Sequence, residues 1–295
     1  MRVAISGASG LVGRALCHSL ETDGHTVHRL VRRAPIDHEI GWSVVEQRID
    51  SAALEGVDAV VHLAGESIAQ RWTEEAKGRI LDSRQQGTHL IASALAGLDS
   101  KPSVFVSASA IGVFGNGGDA VLDEQSPAGT GFLAEVATAW EGAATPAAHA
   151  GIRLVNLRIG LVMSTEGGAL KEMLPAFRWG AGGPLGDGRQ WMSWIALVDL
   201  VAAIRFAIDR GELSGPVHAV APTAVTQGQF AKALGRALGR PAFAPAPGFA
   251  IRLMFGEMGQ RVLLEGQHVL PQVLQRAGFE WRFPELEGCL SDLLA

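Results

Sequence analysis

The sequence predicts an α/β protein: a doubly wound parallel sheet that carries a smaller, mainly helical C-terminal lobe. Three observations predict it. Short apolar runs alternate with stretches of helical periodicity through roughly residue 165, the order expected when helices cross over between parallel strands. Glycines at positions 7, 10 and 13 stand between the first apolar run and the first periodic stretch. Beyond that region the alternation gives way to glycine- and proline-rich connections and then to a largely helical tail.

Val3-Ala4-Ile5 has no polar face, as a buried parallel strand requires. Gly7 then permits a sharp turn, Gly10 lets a backbone approach a ligand without a Cβ in the way, and Gly13 lets the new helix pack on the sheet. Ser9, Leu11 and Val12 complete this turn. Val12, Ala15, Leu16 and Leu20 recur at helical spacing, and Gly24 ends the helix. The unpaired N–H groups at its start face an anion, which points to a dinucleotide pyrophosphate in a Rossmann-type unit.

His25 to Val31 reads as the second strand, with Arg32 and Arg33 at its end. In an NAD-binding unit an acid usually stands here and bonds the ribose 2′-OH. Two guanidinium groups instead match a 2′-phosphate, so NADP(H) is favoured over NAD(H); the alternative is a pair of solvated charges. Val44 to Ile49 reads as the third strand, leaving Asp50 at its tip. Asp58 to Gly65 is an apolar strand ending in Leu63-Ala64-Gly65, small enough for a cofactor to lie against. Glu66 follows, placed to bond a ribose hydroxyl or to favour a helix start. Trp72 to Leu95 reads as a long helix stopped by Gly97, and Val104 to Ser109 and Ile152 to Arg158 as further strands.

Gly180 to Gly188 is loop. Trp194 to Ala207 reads as a helix, Pro216 to Ala221 as a final strand and Val225 to Gly239 as a helix. Pro241, Pro245 and Pro247 mark a connection, and the remainder through Leu294 reads as mostly helical. Residues 1–165, with 190–222 returning to them, form the expected nucleotide domain. Residues 166–189 and 223–295 form the expected substrate lobe.

Hydrophobic residues are 47% of the 295, enough for a large core, and charged residues are 19%, too few for a disordered chain. A net charge of −5 gives nucleic acid or an anionic membrane no electrostatic reason to bind. The expected partner is a small-molecule substrate, with room for a protein partner or a homodimer. Cys17 and Cys289 form neither a disulfide framework nor a metal motif, and Met1 leads straight into a strand, so a cytoplasmic protein without a metal is expected. The most apolar stretch, Trp194 to Ile208, is broken by Asp199 and Arg205. The chain contains no tyrosine.

The G-x-x-G-x-x-G spacing resembles that of extended and atypical short-chain dehydrogenase/reductases. The whole chain is similar to their YfcH-like "epimerase family" subgroup. The resemblance rests on Leu63-Ala-Gly-Glu66, Asp82-Ser-Arg84 with Gly87-Thr88, Ser107 to Gly115, Phe132 with Trp140-Glu141, Met173 to Arg178, Gly182-Gly-Pro184, Gly186 to Gln190, Trp194 leading to Asp199, and Leu263 to Gln267. It implies that the Leu63–Gly65 backbone lines the cofactor, that Asp50 meets the adenine and that Arg84 reaches the cofactor. By the same resemblance Ser109, or failing it Ser107, holds the substrate oxygen. The family's Tyr and Lys positions fall on Phe132 and Val136, neither of which exchanges a proton, so Val136 keeps only a place against the cofactor. Water, Glu135 or Glu141 is left to deliver a proton, although Glu141 reads as an exposed helix residue. Trp179, Trp191 and Trp194 line a pocket or pack the lobe interface. The expected function is an NADP(H)-dependent oxidoreductase on an unidentified small molecule. Its alternatives are a non-catalytic NADPH-sensing regulator and a nucleotide-sugar epimerase.

Overall fold

The computed structural model describes residues 1–295. Its strands, in chain order, are β1 (Arg2–Ser6), β2 (Thr26–Val31), β3 (Glu39–Ser43), β4 (Arg48–Ile49), β5 (Ala59–His62), β6 (Val104–Ala110), β7 (Val121–Leu122), β8 (Arg153–Ile159), β9 (Leu161–Met163), β10 (Trp191–Met192), β11 (Trp194–Ala196), β12 (Gly215–Ala219), β13 (Val225–Thr226) and β14 (His268–Val269). The helices are α1 (Leu11–Thr22), α2 (Glu74–Ala96), α3 (Phe132–Ala143), α4 (Thr145–His149), α5 (Gly168–Arg178), α6 (Leu197–Asp209), α7 (Gln227–Ala237), α8 (Gly248–Met258), α9 (Gln272–Arg276) and α10 (Leu286–Leu294).

Eight strands form the main sheet in the order β12-β8-β6-β5-β1-β2-β3-β4, parallel except for the short antiparallel edge strand β4. The chain runs outward from β1 through β2 to β3, then returns to β5 and runs the other way. The reversal lies between β1 and β5. Loops leaving those strands part company and open a crevice at the carboxyl edge, where ligands bind in open α/β sheets.

Both faces of the sheet are covered, which is why β1 and β5 are continuous apolar runs. On one face α1 and α6 bury Leu16, Leu20 and Ile204 against Val3, Ile5 and Val106. On the other, α2 and α4 bury Ile91, Leu95 and Ala147 against Ala4, Val60 and Phe105. Helix α2 starts where the Thr73 hydroxyl accepts the Ala76 N–H, with Glu74 and Glu75 in its first turn. A third cluster holds the lobe together: Leu170 and Phe177 of α5, Phe230 and Leu234 of α7 and Leu290 of α10 surround Trp194. Helix α6 and strand β12 then return to the main sheet, where β12 pairs with β8.

Three expectations are corrected. The third strand is Glu39–Ser43 rather than Val44–Ile49, because the chain turns back tightly at Val44–Gln47 to form the β3–β4 hairpin; the Gln47 N–H bonds the Val44 carbonyl and Val45 projects into solvent. Trp194 to Ala196 form a strand, since their backbone pairs in parallel with β9, and the helix begins only at Leu197. The tail is less helical than expected: α8, a five-residue π-turn at Gly259–Leu263, α9 and α10 are separated by irregular segments.

Candidate cofactor site

The turn after β1 is pressed against the end of β5. At Gly7, with φ +70°, a Cβ would lie 2.8 Å from the Ala64 nitrogen; at Gly13 it would lie 2.2 Å from the Gly7 carbonyl oxygen. Neither position tolerates a side chain. The Gly10 N–H bonds the Gly7 carbonyl at 2.9 Å, closing the turn. Helix α1 then begins with no side-chain cap and no acid in its first turn. Its N-terminal amides, beside exposed Ser9 and Gly10 and half-buried Leu11 and Val12, stay available to an anion. An uncapped helix start behind a cradle that a Cβ would fill fits a dinucleotide pyrophosphate.

The sequence reading missed what shapes the opposite wall. The buried Ser6 hydroxyl accepts the N–H groups of Leu63 (3.2 Å) and Ala64 (3.4 Å) and donates to His62 Nδ1 at 2.5 Å. One hydroxyl thus fixes the path of Leu63-Ala64-Gly65. Burial pushes the His62 pKa down to about 3, so the ring is neutral, edge-on to Trp42, with Nε2 unpartnered. A serine and a histidine closing otherwise apolar strands were the available signal.

The arginines after β2 divide. Arg33 donates to Glu39 of β3 (2.6 Å) and to the Ala34 carbonyl; the Ile36 N–H first, and then Arg33, hold the Glu39 carboxyl below its usual range. Arg33 thus ties β2 to β3 while its side chain remains largely exposed. Arg32 is exposed and has no protein partner, which leaves its fork free for a phosphate. One Asp50 carboxylate oxygen accepts the Ala53 N–H at 3.2 Å, and the side chain stays exposed. Glu66 is half-exposed, accepts from Gln70 and lies 3.9 Å from Arg79. Arg84 donates to the carbonyls of Glu66 and Ile80, and its guanidinium lies 4.8 Å from the centre of the Trp140 ring. A Cβ on Gly65 would come within 3.2 Å of it. Burial lowers the Arg84 pKa to about 10, and the side chain stays cationic at neutral pH directly behind the strand end.

The structure places the two expected catalytic serines inside the protein. Ser109 is 2% exposed, and its hydroxyl donates to Glu141 at 2.7 Å. Ser107 is fully buried with only a long contact to the Ala108 carbonyl. Alternation along β6 explains both. Phe105, Ser107 and Ser109 share the face packed under α2, α3 and α4, while Val104 and Val106 face α1 and α6. Glu141 is no exposed helix residue: Arg158 Nε and Nη2 grip its two oxygens at 2.7 and 2.9 Å, and the pair is largely buried. An arginine inside the apolar run of β8 demanded such a partner. Val136 is buried with Trp72, Ile80 and Met258, so it presents no surface to a cofactor.

Phe132 stacks edge-on with Trp72, and the Lys77 ammonium lies 5.5 Å from its ring centre. A cleft of about 480 Å³ opens there, lined by Lys77, Leu81, Phe132, Glu135, Glu257 and Arg261. Leu81 sits one helical turn from Arg84, so the cleft neighbours the Gly65 strand end. Of the tryptophans, Trp194 is core and bonds the Thr223 carbonyl, Trp191 stacks on His268 at 4.1 Å and Trp179 projects into solvent.

Residues 3–220 match the family described as NAD dependent epimerase/dehydratase. The chain belongs to that family. Residues 246–293 match a C-terminal domain of unknown function, DUF1731. The epimerase family protein MT2273 of Mycobacterium tuberculosis is 46% identical over 281 residues, covering 95% of this chain and 93% of that one. The Homo sapiens epimerase family protein SDR39U1 is 36% identical across the full length of both. The crystal structure of human SDR39U1 (isoform 2) with NADPH superimposes with a TM-score of 0.92 at 34% identity, covering 100% of this chain and 99% of that one. A nucleoside-diphosphate sugar epimerase from Corynebacterium glutamicum gives 0.82 at 34% identity, covering all of this chain and 58% of its own.

Proposed function

We propose that the protein binds NADP(H) in the crevice between β1 and β5 and acts as an oxidoreductase on a small molecule. The observation that carries the reading is the cradle itself, where the Gly7–Gly13 turn abuts Leu63-Ala64 and Arg32 stands unpaired at the end of β2. The relative crystallised with NADPH supports the same cofactor. When bound, the cofactor supplies or accepts hydride. The chain's own residues bind and orient. The α1 amides would hold the pyrophosphate, Arg32 the 2′-phosphate, and Arg84 and Glu66 the ribose side of Gly65. The cleft beside Phe132 would receive the substrate.

A second reading, an NADPH-responsive regulator without turnover, is favoured by one specific observation: both serines are buried, and Phe132 and Val136 replace any proton-exchanging pair. Following NADPH absorbance with a panel of ketones, quinones and enones separates the two. Turnover with at least one carbonyl class supports the oxidoreductase. Tight NADPH binding with no oxidation above the protein-free rate sinks it in favour of the regulator.

A further inference from the structure

Helix α8 and the segment leading into it expose an unusual amount of apolar surface. Phe243, Phe249, Leu253 and Met254 are 78%, 69%, 82% and 68% exposed, and Phe255 and Val262 beside them are more than a third exposed. Trp179, 88% exposed, belongs to the same region: Gly180 packs against Pro241, and the Ala244 N–H bonds the Gly182 carbonyl, so the two segments run side by side. Only Ile251 and Met258 of α8 are buried. A surface helix ordinarily shows solvent the polar face; this one shows solvent its larger apolar face.

Size decides what the surface is for. Aromatic side chains carry roughly 150–250 Å² each, so these residues together expose on the order of 700 Å². The largest apolar patch on an ordinary monomer is about 300–600 Å², and a stable interface takes about 800 Å² from each partner. Charge argues against a membrane as occupant, because the chain is net negative and Glu257 and Glu265 flank the patch beside Arg252 and Arg261. We propose that this face is the interface of a homodimer, formed by α8 and the Phe243 segment packing on their copies about a two-fold axis. An isologous contact needs one self-complementary patch, and a largely aromatic and aliphatic face satisfies that without charge matching.

The test is sedimentation equilibrium of the full-length protein from 1 to about 100 μM, a range that brackets the micromolar affinities some interfaces of this size show. Wild type, the double variant Leu253→Glu/Met254→Glu and the control Val45→Glu are compared. Val45 is more exposed still, at 96%, but stands on the β3–β4 turn, outside this face. All three positions are solvent-facing, so the substitutions leave the fold intact, which circular dichroism checks. The expected result is a dimer of twice the 31.0 kDa chain mass for wild type and Val45→Glu, with dimerisation weakened at least 100-fold in the double variant. A wild type that stays monomeric throughout, including one that instead pellets with lipid vesicles, overturns the proposal. So does a double variant that dimerises like wild type, or a control that dissociates equally.

Discussion

Replacing Glu141 with Gln separates a structural from a catalytic role for the strand-end serine. Its carboxylate accepts three hydrogen bonds, from Ser109 at 2.7 Å and from Arg158 Nε and Nη2 at 2.7 and 2.9 Å, with the pair 10% and 15% exposed. Arg158 has nothing to fall back on, since its Nη1 is already buried and unpartnered and its guanidinium sits 5.4 Å from the Phe114 ring centre. Removing one partner of such a buried pair costs about 3–5 kcal/mol. Against a total of roughly 5–15 kcal/mol, that is a large share of the stability. Ser109→Ala loses a single hydrogen bond to a charge, about 1.5–3 kcal/mol. Because both act through one carboxylate, the double variant should fall short of the sum by about 1 kcal/mol or more. Urea unfolding of the four proteins measures all three quantities. NADPH affinity of the folded Ser109→Ala protein should match wild type. A Glu141→Gln cost under about 1 kcal/mol, or a Ser109→Ala protein of unchanged stability that loses ligand binding or turnover, would refute the reasoning.

Three further outcomes are expected. His62 and His218 both have pKa values lowered by burial, to about 3 for His62, with Glu124 partly opposing the shift at His218. The unfolded chain therefore takes up protons below pH ~6.5 that the folded chain refuses, and stability present above that pH is lost as pH falls, by up to about 1.4 kcal/mol per unit for His62, with His218 adding in the same direction. Urea midpoints between pH 6.5 and 5, above the range where carboxylates matter, should show this slope, shallower by one proton in His62→Gln. Gly13→Ala drives a methyl to 2.2 Å from the Gly7 carbonyl, so the variant should lose more than about 2 kcal/mol and all NADPH affinity; a stable, binding-competent variant would disprove the packing. Cys17 and Cys289 are buried, and burial raises both thiols, Cys289 to about 12. Neither should react with a thiol reagent at pH 8 until the protein unfolds, and rapid native labelling would contradict their placement.

The doubly wound sheet was legible because strands covered on both faces leave uninterrupted apolar runs, and because glycines 7, 10 and 13 have a local steric meaning. The lobe's existence was legible for the opposite reason, the loss of that rhythm. Pairing decided what could not be read. Val44-Val45 look like strand and form a turn, while Trp194 looks like a helix start and joins a strand, because hydrogen bonds to distant segments outweigh local pattern. The site divided along the same line. Backbone features, such as the Gly7 turn and the Leu63-Ala64-Gly65 strand end, lie where the sequence put them. Side-chain placements at Arg33, Asp50, Ser109 and Glu141 depended on partners 3 to 32 residues away: Glu39, Ala53, Glu141 and Arg158.

The most direct test of the cofactor assignment is a fluorescence titration of the cofactor-stripped protein with NADPH and NADH, run with Arg32→Ala and Arg33→Ala alongside. Wild type should prefer NADPH. Arg32→Ala should weaken NADPH binding by about tenfold or more, in line with one lost charge-assisted contact, and leave NADH binding unchanged. Arg33→Ala, whose guanidinium is already engaged by Glu39, should change the preference little. Equal, weak binding of both dinucleotides by wild type, or a loss of NADPH selectivity only in Arg33→Ala, would contradict the account.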